Sequence, residues 1–438
     1  MTGQQTIAVF GASGLIGESL AADLLDYGFR VVPIARRFTA AQRGRFGKQA
    51  LQADFMLFES GQLETLLVQN DVDVVVNCVG VLQDGPRGST QDVHAGWTER
   101  LLGAMPADSL LIHFSVPGLA AHDRTAFSRT KREAETAIAD SEADFVILRP
   151  GFVLAARAYG GSALLRAIAS LPLGLSGNVA SAEFKVTAID DIAATVVAVA
   201  RKWRLGQRGW RAVWDVMALE PSTAGEVVDG LARRLGGPSR RIRLPGWLMQ
   251  MGAVAGDLVS QLGWTPSIRT TALTEIRRGV TGDPQPWMDA TGIRPKSPME
   301  AVQRLPVGVQ ERWFGRLYLL KPAVLGVLAV FWISSGTIAL TIAFSAATAI
   351  LMDAGLPKPA AELATIATSL LDIGIGVAIA IRRSARFGLW LGIAASGLYL
   401  AASLALAPHL WADPLGAMVK AVPAVVLMLV GLAILDDR

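Results

Sequence analysis

Residues 6–10 read TIAVF and residues 11–17 read GASGLIG, and the fold class follows from this junction. The first stretch is short, apolar and rich in β-formers. The second spaces Gly11, Gly14 and Gly17 at intervals of three, and Glu18–Leu25 then carries a helical pattern. In a strand–turn–helix unit the three glycines permit, in turn, a tight bend, close approach of backbone to a pyrophosphate, and close packing of helix on strand. The helix N-terminus adds oriented N–H groups and a partial positive charge, which favour phosphate. The unit predicts dinucleotide contacts from Gly11, Ser13, Gly14, Leu15, Ile16 and Gly17, against the alternative of a purely structural turn.

Working outward, Arg30–Ala35 (RVVPIA) predicts the second strand. A dinucleotide site selective for NAD places an Asp or Glu about 20 residues on, to accept from the ribose 2′-hydroxyl. No acid occurs between Gly28 and Ala50, and Arg36 and Arg37 stand at the strand end instead. A guanidinium forks onto a 2′-phosphate that a carboxylate would repel, so NADP(H) is favoured over NAD(H). The alternative is that one arginine, Arg37 before Arg36, only covers surface. Further strands are predicted at ALQADF ending near Asp54, at Asp73–Cys78 running into Val79 and Gly80, at Leu110–Phe114 ending at Ser115, and at Phe145–Leu148. Strands separated by helical stretches predict an α/β fold, a doubly wound parallel sheet with ligands at the strand C-termini.

These segments resemble the short-chain dehydrogenase/reductase superfamily, in its atypical NmrA-like branch that includes the Rossmann accessory subunit of respiratory complex I. The resemblance rests on GASGLIG (11–17), NCVG (77–80), strand-end Ser115, Lys131 in SRTKREAE (128–135), LRPG (148–151) and VTAIDDIA (186–193), and spans about residues 1–200. It implies an oxidoreductase with cofactor contacts that add Arg36, Arg37, Asp54, Gly80 and Lys131, and catalytic roles for Ser115 and Lys131. The family's acid is a tyrosine four residues before the lysine. Here that position is Phe127, and none of the four tyrosines (Tyr27, Tyr159, Tyr318, Tyr399) lies between Ser115 and Arg149. A phenyl ring donates no proton. Three readings stay open: a nucleotide-binding subunit without turnover that regulates or stabilises a membrane partner protein, hydride transfer to a lipophilic acceptor such as a quinone, or His122 as a substitute acid. Lys131 is otherwise an ordinary helix-surface lysine, and Ser115 a strand-end turn serine. His94 and His113 lack partners at metal-ligand spacing, so no metal site is expected.

Composition explains the rest of the chain. Hydrophobic residues make up 52% and charged residues 18% of 438, where a soluble domain carries about 25% charged. The deficit lies at the end, since residues 313–438 hold only 8 Lys+Arg and 6 Asp+Glu. The reading divides the chain into a Rossmann domain (1–205), a substrate-side subdomain (206–312) and a membrane domain (313–438). A net charge of +4 without a basic stripe argues against a nucleic-acid partner. MTGQQTIAVF has no signal-peptide pattern, and the lone Cys78 fits a reducing compartment. Thr223-x-x-Glu226 is a capping box for a helix through Leu235. Leu244–Leu262 carries one charge, Asp257, after Arg240, Arg241 and Arg243, and fits a helix on a membrane surface, a pocket wall or a core helix.

Four apolar runs follow, at Pro322–Phe344, Leu363–Ile381, Phe387–Ala407 and Leu415–Leu435, each near the roughly 20 residues that cross a bilayer. Arg312, Arg316 and Lys321 precede the first, and Arg382, Arg383 and Arg386 fill the second connection, whereas the other two hold only Lys358, His409 and Lys420. The positive-inside rule then places both termini in the cytoplasm of a bacterial-type inner membrane. Mid-span Asp372 is a candidate functional group, beside Gly374 and Gly376 that permit close helix packing. In span number, size and fusion to a Rossmann domain this part resembles the DoxX-like membrane family, which implies quinone or thiol redox chemistry and contact with the lipid bilayer.

Overall fold

In the computed structural model residues 4–85, 88–412 and 416–435 are described. The chain forms two compact units, Met1–Asp257 with Pro266–Gly315, and Leu258–Thr265 with Arg316–Arg438.

The first unit is built on seven parallel strands: β1 (Thr6–Phe10), β2 (Arg30–Ala35), β3 (Leu51–Gln52), β4 (Val74–Asn77), β5 (Leu110–Phe114), β6 (Asp144–Pro150) and β7 (Arg211–Val216). Their order is β7-β6-β5-β4-β1-β2-β3. The chain reverses direction across the sheet between β1 and β4, where Phe10 pairs with Asn77, and this switch point is where doubly wound sheets bind ligands. Strands β1, β4 and β5 are buried along their whole length, because helices cover both faces; hence they read as continuous apolar runs. Leu20, Leu24, Ile192 and Val196 pack on one face, and Leu63, Leu67, Trp97 and Ile138 on the other.

Two boundaries differ from expectation. The helix after the glycine loop, α1 (Leu15–Asp26), starts three residues earlier than the pattern predicts, with Gly14 as its N-cap. Strand β7 falls inside the stretch assigned to the substrate side, yet pairs along β6 from Arg211 opposite Phe145 to Val216 opposite Pro150. As an edge strand it alternates exposed and buried residues, so it lacks the apolar run that reveals its neighbours.

The remaining helices used below are α2 (Ala126–Asp140), α3 (Ile189–Arg204), α4 (Ala224–Leu235), α5 (Gly246–Gln261) and α6 (Thr270–Arg278). The predicted capping box is present on α4: Thr223 accepts from the Glu226 N–H, and Glu226 accepts from the Thr223 N–H.

The second unit contains α7 (Leu320–Leu340), α8 (Phe344–Asp353), α9 (Lys358–Ala380), α10 (Ala385–Leu406) and α11 (Ala417–Ile434). Among the described residues three helices, α7, α9 and α10, are long and apolar enough to cross a membrane. The first predicted run ends early, at Leu340, and its last residue, Phe344, opens the separate short helix α8. The fourth run begins at Leu415, outside the described residues; its remainder forms the shorter apolar helix α11, with Pro423 inside. Gly376 brings α9 onto α7, since a Cβ there would meet the Ala329 carbonyl oxygen at 2.7 Å. Gly374 faces open space instead, so it is not part of that close contact.

Candidate functional site

The glycine loop is shaped by contacts that only hydrogen satisfies. Gly11 has φ +79°, and a Cβ on it would lie 3.0 Å from the Cys78 carbonyl at the end of β4. Its N–H donates to the Ile34 carbonyl at 3.0 Å, which fastens the turn to β2. A Cβ on Gly17 would collide with the Gly11 carbonyl, so α1 can sit against the loop only with glycine there. Gly14 is the helix N-cap and supplies no side chain to the first-turn amides. Those amides, at Leu15, Ile16 and Gly17, therefore point out of the helix unpaired by any cap, which is the requirement for holding a pyrophosphate. Ser13 lies in the same loop, and its carbonyl accepts from Gln42 at 3.3 Å. Glu18, one residue beyond Gly17, is neutralised by Arg157 at 2.9 Å.

Arg36 and Arg37 directly follow β2 and are exposed, and neither is engaged in a hydrogen bond or ion pair among the described residues. Asp54, after β3, is also exposed. All three lie at the strand C-terminal edge, as does the glycine loop.

Around the ends of β4 and β5 a buried polar cluster has assembled. Lys131 on α2 is 5% exposed and donates to the Val79 carbonyl at 3.1 Å and the Phe114 carbonyl at 2.8 Å. It is thus no surface lysine. Burial pushes its ammonium down to about 8, against the opposing pull of Cys78 and Glu135. Gly80 sits over it: a Cβ at Gly80 would be 3.4 Å from the Lys131 Nζ and 3.5 Å from the His94 Nε2. His94 receives the Val81 N–H on Nε2 at 3.1 Å, so its proton is on Nδ1 and is donated to the Thr130 hydroxyl at 2.7 Å. Burial first, then the Lys131 charge, pushes His94 down to about 2. It is a neutral fixture with both ring nitrogens engaged. His113 is likewise held neutral by burial, and shares its Nδ1 with the Asn77 amide at 3.0 Å.

Phe127 stands edge-on to His94, with ring centroids 5.6 Å apart. The position that would carry an acid is thus packed against a neutral imidazole whose one N–H is already donated to Thr130. His122 lies on the turn Ala120–His122 and is exposed; it makes no hydrogen bond to Lys131 among the described residues. Ser115 is 8% exposed and lies beside Glu135. Burial raises Glu135, but the hydrogen bonds from Arg149, the nearby Ser115 hydroxyl and the charges of Arg149 and Arg132 outweigh it and hold the carboxyl below its usual range.

The loop after β5 is clamped from two sides. Arg132 of α2 donates to the Pro117 and Gly118 carbonyls at 3.2 and 2.5 Å and pairs with Asp123 at 3.0 Å. Arg278 of α6 pairs with Asp123 at 2.9 Å and also donates to the Pro117 carbonyl. Neither the role of His94 nor this ion network is signalled by the sequence. Their partners lie 36 and up to 161 residues away, and no local spacing announces such contacts.

In the second unit, Asp372 is held by neutral hydroxyls, the Tyr399 O–H at 2.8 Å and the Ser335 O–H at 3.3 Å.

Comparison with known proteins follows the two units. Residues 7–209 match the NAD dependent epimerase/dehydratase family, and residues 329–429 match the DoxX-like family. Among curated proteins none matches. Similar solved structures include UDP-glucuronic acid 4-epimerase from Bacillus cereus with UDP-glucuronic acid and NAD, at 16% identity and TM-score 0.50 over 72% of this chain and 100% of that one. Human epimerase family protein SDR39U1 with NADPH is similar at 18% identity and TM-score 0.51, over 69% and 99%. UDP-glucose 4-epimerase from Thermotoga maritima is similar at 12% identity and TM-score 0.51, over 72% and 100%. At these identities the likeness is one of fold.

Proposed function

We propose that this chain, an epimerase/dehydratase-type NAD(P)-binding domain joined to a DoxX-like membrane unit, is a membrane-held oxidoreductase that uses NADP(H) to reduce a lipophilic, quinone-like acceptor. The observation that carries this reading is Phe127 edge-on to His94. Reduction of an ordinary carbonyl needs a proton delivered by the protein as charge develops on oxygen. A quinone tolerates the lack of one, because its reduced anion is stabilised over the ring and takes its proton from water. The bound dinucleotide would supply hydride. The open first turn of α1 would hold its pyrophosphate, and Arg36, with Arg37 beside it, would face a 2′-phosphate where a carboxylate is lacking. Lys131, fixed by two carbonyls, has one remaining donor for a ribose hydroxyl.

Nucleotide-sugar epimerisation, the activity in the names of two of the similar structures, fits this site less well, since the phenolic acid position is a phenyl ring. A second reading is a subunit that binds NADP(H) without turnover and steadies a membrane partner. It is favoured by Lys131, whose two bonds to backbone carbonyls serve the fold whether or not chemistry occurs.

The test is NADPH oxidation by the detergent-purified chain with a series of quinone analogues, alongside direct titration of NADPH binding. Turnover with quinones but not with simple aldehydes or ketones is expected. Tight binding with no turnover across the series would replace the first reading by the second, and absence of binding would remove both.

A further inference from the structure

We propose that α5 lies in the plane of the membrane, its outward face sunk into the headgroup region of a phospholipid bilayer, independently of any catalytic reading. The residues between Trp247 and Leu262 sort by face. Trp247, Met251, Val254 and Leu258 recur at steps of four, three and four, and are 64%, 60%, 46% and 60% exposed; Leu248, Val259 and Leu262 widen the same arc. The opposite side is packed on protein. Ala253 is fully buried, a Cβ on Gly256 would collide with the Ile268 carbonyl, and the Met249 sulfur accepts the Ser176 N–H at 3.4 Å. The core-helix alternative for Leu244–Leu262 is therefore excluded: the apolar arc faces outward, and the small residues face inward. A soluble helix has the reverse arrangement.

Two observations select lipid as the occupant. The first is the tether at the C-terminal end of α5. Residues 258–265 belong to the helical unit, where the Leu262 carbonyl accepts the Arg382 N–H at 3.0 Å and the Trp264 indole donates to the Ala380 carbonyl at 2.7 Å. Ala380 is the last residue of a helix long and apolar enough to cross a membrane, so the end of α5 is fixed at the depth where such a helix leaves the hydrocarbon. The Arg382 guanidinium lies 5.3 Å from the Trp264 ring at this level. The second is charge. Arg240 and Arg243 are exposed just before α5, and Arg383 is exposed just after Arg382, while Trp247 supplies the amphipathic ring that favours the interface. A helix with this combination rests about 5–10 Å into the headgroup–acyl boundary, and anionic lipids strengthen its binding.

The wild-type chain tests this without any substitution. It is reconstituted at one copy per disc in nanodiscs of anionic phospholipid and treated with hydrogen peroxide, and methionine oxidation is followed by mass spectrometry. Met251 is compared with Met299, which is 42% exposed in the Rossmann unit. Met251, the more exposed of the two, is expected to oxidise several-fold more slowly than Met299. Equal or faster oxidation of Met251 would overturn the proposal. Protection that appears only in discs carrying two copies would also overturn it, by making a second copy the occupant.

Discussion

The Lys131 ammonium lies 2.8 Å from the Phe114 carbonyl oxygen, so the lysine of the candidate site is fastened to the end of β5 before any ligand arrives. Its direct hydrogen-bond partners are two backbone carbonyls, and burial, outweighing the pull of Cys78 and Glu135, lowers its pKa to about 8. An unfolded lysine titrates near 10.4. Between these values the unfolded chain binds more protons than the folded one, so this group makes stability rise with pH across that window. Below about 8 the full cost of burying the charge, on the order of 3 kcal/mol, is present. Lys131→Met is expected to remove this pH-dependent part. The check is the difference in denaturation midpoint between wild type and variant from pH 7.5 to 10.5: it should drift towards the wild type as pH rises, and a constant difference would refute the assignment.

Phe127→Tyr restores a phenol at the family position. A step that lacks a needed general acid is slowed by about 10²–10⁴-fold. If the acceptor takes its proton from water, the variant changes quinone-analogue turnover by far less than this. A rise of that size would mean that the wild-type site is limited by a missing acid.

Arg36→Asp places a carboxylate beside the expected 2′-phosphate. Loss of a charge-assisted bond, about 1.5–3 kcal/mol, corresponds to about 10–100-fold weaker NADPH binding. NADH binding should stay level or improve. Isothermal titration with both nucleotides reads the contrast, and an equal effect on both would remove Arg36 from the 2′-phosphate.

Gly11→Ala combines a left-handed backbone with a Cβ 3.0 Å from the Cys78 carbonyl. Such strain costs about 1–3 kcal/mol. Gly14→Ala meets only the Gly11 carbonyl, at 3.3 Å, and should fold nearly as well as wild type. Thermal midpoints of the two variants, measured side by side, should therefore separate, with Gly11→Ala the lower.

Much of the fold is legible in the chain itself. Strands β1, β2, β4, β5 and β6 stand out because both sheet faces are covered, which turns a strand into an unbroken apolar run. Strand β7 does not, because RAVWDV at the sheet edge answers to solvent on alternate residues. The glycine loop is readable from spacing, since Gly11, Gly14 and Gly17 stand within seven residues and both Gly14 and Gly17 lie against the Gly11 carbonyl; the approach of Gly11 to Cys78 is not. His94 is not readable as part of the site: it acquires its role only when Thr130 and Phe127 arrive on α2. The same holds for α5, whose composition says apolar but whose outward direction depends on Ile268 and Ser176 packing behind it.

The double clamp on the loop after β5 has a mechanical consequence. Pro117 and Gly118 are held by guanidiniums from α2 and α6, and both guanidiniums share the buried carboxylate of Asp123. Breaking one such buried pair while leaving its partner charged costs several kcal/mol. This side of the site is a wall and not a door. Ligand exchange has to use another edge of the strand ends.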